Sequence, residues 1–139
     1  MTETETLAWL AGLLEGEGFF GIIKSHNNGR IYRYPQIVIQ MTDEDVVQRV
    51  ADVFGTKLYR NKKVYGTGSK LLCFKAVCSG QRAATWMAKL RPMMGVRRKL
   101  KIDACLTEWS SRPSANTMRS LTLKATIARQ KQEDLNSEA

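Results

Sequence analysis

The chain has 139 residues, 43% hydrophobic and 25% charged, with 22 Lys and Arg against 13 Asp and Glu, a net charge of +9 and a pI near 9.7. That length suits one domain able to bury its own core, and the composition is globular rather than fibrous or disordered. A single histidine, His26, and an odd set of cysteines, Cys73, Cys78 and Cys105, without metal-ligand spacing exclude histidine-clustered metal sites and two-histidine nuclease designs, and they point to a reducing compartment.

The positive surplus points to a polyanionic partner, nucleic acid first, with a merely basic soluble surface as the bland alternative. No apolar run is long enough to span a bilayer, and the start MTETETLAW is acidic, unlike a signal region. The expectation is a soluble intracellular protein with no membrane partner, in the cytoplasm of a bacterium or phage-infected cell or in an organelle.

Residues 6–16 read as a first helix, with Thr2, Thr4 and Thr6 as N-cap candidates and Glu3 and Glu5 suited to a positive helix start. Gly18 stops it. Residues 19–25 read as a strand, SHNNGR as a hairpin turn built on Asn28 and Gly29, and residues 31–41 as the return strand. There Ile37, Ile39 and Met41 alternate with Tyr34, Gln36, Val38 and Gln40. Thr42 and Asp45 resemble a capping box before a helix with the apolar stripe Val46, Val47, Val50, Val53 and Phe54, closed by Gly55. Two further strands, 56–65 and 70–78, flank a GTGS turn. A helix over 81–94 carries Trp86, Met87 and Leu90, and a helix over 96–109 is anchored by Leu100, Ile102 and Leu106.

The order α-β-β-α-β-β-α-α gives an α+β class, a four-stranded antiparallel sheet with helices on one face. From Ser110 onward the character changes: SSRPSAN is linker-like and residues 117–136 are polar with helical propensity. Residues 1–110 are therefore expected to form the domain and 111–139 a polar extension, either a tail or a helix that orders on a partner.

The stretch LAGLLEGEGFF, residues 10–20, puts glycines and acids at the end of the most apolar helix. Leu7, Trp9, Leu10, Leu13 and Leu14 form a broad apolar arc, while Ala8, Gly12 and Gly16 fall at i, i+4, i+8 on the remaining side, flanked by Ala11. Such a small-residue stripe lets a second helix approach closely, which must outweigh about 1 kcal/mol lost per interior glycine. Glu17 stands at the helix C-terminus against its dipole preference. Either a bound cation compensates it, or Glu15 and Glu17 are solvated residues at a helix end.

LAGLLEGEG, residues 10–18, resembles the motif of the LAGLIDADG homing endonucleases. Leu10, Ala11, Gly12, Leu13 and Gly18 match; Leu14 replaces Ile, Glu15 and Glu17 replace the two Asp, and Gly16 replaces Ala. The element order, Phe54-Gly55 and LRPMMGVRRK (residues 90–99) extend the likeness to residues 7–109, leaving the tail uncovered. One motif is present. The resemblance therefore implies a homodimer packed through Ala8, Gly12 and Gly16, with Ala11 and Glu15 beside them, since a two-fold interface must be self-complementary. It implies site-specific double-strand DNA cleavage at a long, partly palindromic site, by hydrolysis that depends on Mg²⁺ or another divalent cation. Glu17 and a backbone carbonyl near Gly16 would be the metal ligands, and Arg97, Lys99 and Gln40 would act around them.

The resemblance also makes the sheet the DNA-reading surface. Gly21, Ile23 and Ser25 on the first strand, Tyr32, Tyr34, Gln36, Val38 and Gln40 on the second, Arg60 and Lys62 on the third and Lys75 on the fourth are expected to face DNA. Arg30 and Lys63 in the hairpin tips would touch phosphates. Two rival readings keep the same fold: a non-cleaving DNA-binding protein, and an intron RNA maturase, the only reading in which RNA is a partner.

Overall fold

The structure, a computed structural model, describes residues 1–64, 70–112 and 115–137. Helix α1, Glu3–Glu17, begins earlier than expected because Thr2 caps it: the Glu5 N–H donates to Thr2 Oγ1 at 3.1 Å, and the Thr2 N–H donates to Glu5 Oε2 at 3.4 Å. The helix ends where the Gly18 N–H donates to the Leu14 carbonyl, and a Cβ on residue 18 would stand 2.7 Å from that oxygen. Only glycine allows the chain to pass there directly into β1, Gly18–Asn27.

Asn28 and Gly29, at φ 50° and 75°, turn the hairpin into β2, Arg30–Met41. Helix α2, Glu44–Phe54, takes Asp43 as its N-cap residue without a side-chain cap bond, so the Thr42 capping box does not form; Gly55 closes it at φ 68°. Strands β3, Leu58–Val64, and β4, Lys70–Ser79, follow; the GTGS turn lies outside the described residues. Helix α3, Gly80–Leu90, stops short of residue 94 because Pro92 sits in a 3-10 turn, Arg91–Met93. Helix α4 is Val96–Ser110. Helix α5, Ala115–Ser137, realises the helical propensity of the tail, with every described side chain from Leu123 to Ser137 exposed.

The antiparallel sheet has the order β1-β2-β4-β3, with α1 to α4 packed on one face. Phe20 lies opposite Ile37, Ile39 opposite Ala76, and Met41 opposite Phe74, so these residues line the helix side together. They meet Leu10, Leu14, Val47, Val50, Met87, Leu90 and Ile102 in one core. Leu100 is no anchor: it is 66% exposed, and Ile102 and Cys105 carry the buried face of α4.

The register overturns one expectation about the third strand. Arg60 lies opposite Phe74 and Lys62 opposite Leu72, so both stand on the helix face rather than the open face. Arg60 donates to Glu44 Oε1 of α2 at 2.8 Å. Tyr59 and Asn61 take the open positions, opposite Lys75 and Cys73. Arg33 is likewise turned to the helices, donating to Glu108 Oε1 at 2.8 and 3.1 Å, and Lys24 lies opposite it.

Candidate functional site

The helix-free face of the sheet is organised in transverse rows. Ser25 lies opposite Tyr32, Ile23 opposite Tyr34, and Gly21 opposite Gln36, which is in turn opposite Ser79; the Gln36 amide donates to Ser79 Oγ at 3.1 Å. Phe19, Val38 and Val77 form the next row. Beyond it Gln40 lies opposite Lys75, and Lys75 opposite Tyr59. Gly18 pairs with Ile39, which puts Gln40 at the register level of Glu17, just past the end of the ladder. The expected open-face residues of β1, β2 and β4 thus stand together. Arg30 is exposed beside the first hairpin turn; Lys63 pairs with Leu71 in the β3–β4 ladder.

At that end of the sheet the two acids of α1 diverge. Glu15 turns to α4: the Gly95 N–H donates to its Oε1 at 3.0 Å, and its buried Oε2 lies 3.9 Å from Arg98 Nε. Arg98 also donates to the Glu15 carbonyl at 3.1 and 3.3 Å and places its guanidinium 5.7 Å from the centre of the Phe20 ring. A Cβ on Gly95 would meet the Glu15 carboxylate where it now lies, so a side chain there would push the end of that flexible residue aside. Glu15 therefore fastens α1 within its own chain. Glu17, by contrast, is exposed and has no hydrogen bond or ion pair among the described residues. Gly16 precedes it in the last helical turn, whose carbonyls have no intrahelical N–H to accept.

The small stripe is open. An added Cβ at Gly12 or Gly16 would meet nothing within 4 Å, and Ala8 is exposed. Ala11 does not belong to this stripe: it is 3% exposed and sits in the chain's own core, on the leucine side of the helix.

Between the start of β1 and the first turns of α4 lies an open cavity of about 800 Å³, lined by Phe19, Phe20, Val96, Arg97, Arg98 and Leu100, with Lys101 and Ala104. It brings Arg97 to the same end of the sheet as Glu17. Arg97 is exposed and unpaired among the described residues. Lys99 does not line this cavity; it lies near Asp103, whose carboxyl is held below its ordinary range chiefly by hydrogen bonds from Arg91 at 2.6 and 2.9 Å, with a smaller pull from Lys99.

No protein-family model and no curated protein matches this chain. Solved structures do. The homing endonuclease I-CvuI, in complex with the I-CreI target in the presence of magnesium with the DNA not cleaved, superposes with a TM-score of 0.53 at 14% identity, over 78% of this chain and 69% of that one. The group I intron-encoded homing endonuclease I-CeuI, complexed with DNA, gives 0.52 at 16% identity, over 97% of this chain and 62% of its own. The archaeal intron-encoded homing endonuclease I-Vdi141I, also complexed with DNA, gives 0.51 at 14%, over 70% and 63%.

The chain has the LAGLIDADG homing-endonuclease fold. On α1 of this chain, Gly12 and Gly16 face open space, and Glu17 is the last residue of the helix. Sequence reasoning missed Gly95 and Arg98, the residues that fix α1 to α4, and it missed Phe19, Tyr59 and Asn61 on the open face. The alternation of β1 contained Phe19; nothing local marked the others.

Proposed function

We propose that two copies of this chain pair through Ala8, Gly12 and Gly16 and cut both strands of a duplex DNA site lying along their open sheet faces. The supporting observation is a coincidence at one end of α1. The carboxylate of Glu17 is without a partner where the helix side made of Gly12 and Gly16 has nothing packed on it. A close-approach seam left unfilled by the chain's own atoms suits a symmetry mate, and the mate would bring a second Glu17 to the same place.

The donor set fits a hard divalent cation. No group of three His, Cys, Asp or Glu forms among the described residues, so one chain offers only the Glu17 carboxylate and a carbonyl at Gly16. Oxygen donors of this kind suit Mg²⁺, which keeps waters and takes the rest of its shell from phosphate oxygens. When bound, the ion would polarise phosphate and lower the pKa of water. This chain's own residues would do the remainder: Arg97 would balance charge building on the phosphate, Gln40 would orient groups at the register level of Glu17, and Lys75 and the tyrosines would hold the duplex.

The test is cleavage of duplex DNA spanning the gene's own insertion site, with and without Mg²⁺, by wild type and by Glu17→Gln. Wild type is expected to cut both strands only with metal, and Glu17→Gln to bind equally well and cut neither. A wild type that binds the duplex and never cuts it would make this a DNA-binding protein only. Preference for intron RNA with rescue of splicing would make it a maturase.

A further inference from the structure

One row of the open face is apolar between polar rows. Phe19 on β1, Val38 on β2 and Val77 on β4 lie directly opposite one another across the ladder. To one side stand Gln40, Lys75 and Tyr59, to the other Gln36 and Ser79. The Phe19 side chain is 46% exposed, and its ring occupies the space above Gly21, where any Cβ would collide with it. The missing side chain at residue 21 therefore seats the ring, and an aromatic held this way presents apolar area at little cost in side-chain entropy.

The dimensions suit a base-edge contact. Strands stand about 4.8 Å apart, so a row across three of them spans about 10 Å, close to the roughly 12 Å width of the major groove. Same-face side chains recur about every 6.8 Å along a strand, or about two base-pair steps of ~3.4 Å, so each row faces about two base pairs. Hydrogen-bonding rows can read donors and acceptors; this one cannot. The apolar group on a major-groove edge is the C5-methyl of thymine. Phe19 follows Glu17 by two residues, so its row lies one row in from the Gln40 and Lys75 row at the end where the cut would fall.

We propose that the Phe19, Val38 and Val77 row selects thymine, through its methyl group, at inner base pairs of each half-site, one row out from those that face Gln40, Lys75 and Tyr59. This rests on the DNA-cleaving reading above. The experiment selects bound duplexes from a randomised DNA library with the wild-type chain, then remakes the selected duplex with deoxyuridine replacing thymine one position at a time. A thymine at an inner position of each half-site is expected, with binding about fourfold weaker for each inner methyl removed, the value of one buried methyl-sized group. Phe19→Ala should bind the thymine and uracil duplexes alike, and Phe19→Leu should keep part of the discrimination. A selected site without inner thymine, wild-type affinity unmoved by deoxyuridine, or full discrimination in Phe19→Ala overturns the proposal and leaves the DNA reading standing. A library from which no sequence is enriched overturns both.

Discussion

Glu15 and Gly95 are 80 positions apart, and a single hydrogen bond of 3.0 Å joins them: the backbone N–H of Gly95, at the mouth of α4, donates to the carboxylate of the first motif acid. The bond ties the last turn of α1, which ends at Glu17, to the start of α4, which carries Arg97 in its first turn. Glu15→Ala should lower the unfolding free energy by about 1.5–3 kcal/mol, the usual worth of a hydrogen bond to a charged group. Gly95→Ala should cost no more than that, because its methyl displaces only the end of the flexible Glu15 side chain. The double variant removes the carboxylate and with it the collision, so its loss should be smaller than the sum. Chemical denaturation of the four proteins checks this, and strict additivity would show that the contact carries no coupling.

The neighbouring arginines should separate cleanly. Arg98 has only 12% of its side chain exposed, donates to the Glu15 carbonyl and lies against Phe20, so Arg98→Ala should lower stability. Arg97 makes no such contacts. Arg97→Ala should leave the denaturation midpoint unchanged and slow cleavage about a hundredfold, as loss of a positioned charge-stabilising group does. Arg97→Lys should recover only part of the rate, because an ammonium cannot reproduce the planar fork of a guanidinium. Midpoints and single-turnover cleavage rates, measured on the same preparations, decide it.

What the sequence disclosed follows from how local each signal is. The stripe of α1 was legible because i, i+4, i+8 spacing alone puts Ala8, Gly12 and Gly16 on one side. The faces of β2 were legible because Ile37, Ile39 and Met41 fix the parity of their neighbours. Strand β3, LYRNKKV, has no apolar run to fix its parity, and long polar side chains tolerate either face. Arg60 and Lys62 could be placed only by pairing with β4, a non-local fact, and the pairing put them with the helices. The same reason hid Gly95. The crowding at Gly95 comes from a side chain far away in sequence, while Gly18 could be read from the helix it ends. Leu100 misled because α4 offers two apolar lines, and only the packing of α3 and β1 selects the one with Ile102 and Cys105.

The open seam on α1 yields a test in which stability and assembly move in opposite directions. An added methyl at Gly12 meets no atom of its own chain, so Gly12→Ala should stabilise the isolated subunit by up to about 1 kcal/mol through helix propensity. The same methyl should weaken the dimer by holding the helices apart, and Gly12→Leu should abolish it. Sedimentation at several concentrations, with denaturation of the dissociated chain, reports both effects. A Gly12→Leu protein that sediments as a normal dimer would place the subunit contact elsewhere on the surface.

The corrected parity of β3 makes Arg60 and Lys75 a matched pair for testing which face meets DNA. Both are cations on adjacent strands, one on each side of the sheet. Arg60 is engaged with Glu44 in an exposed ion pair, worth less than about 1 kcal/mol. Arg60→Ala should therefore change DNA affinity by no more than about twofold. Lys75, between Gln40 and Tyr59 on the open face, should act directly on the duplex. Lys75→Ala should weaken binding about tenfold or more, and it should lower the slope of log affinity against log salt concentration if its contact is a phosphate. Affinities of both variants across a salt series discriminate the two faces. Equal losses from Arg60→Ala and Lys75→Ala would mean that the duplex does not lie along the open face alone.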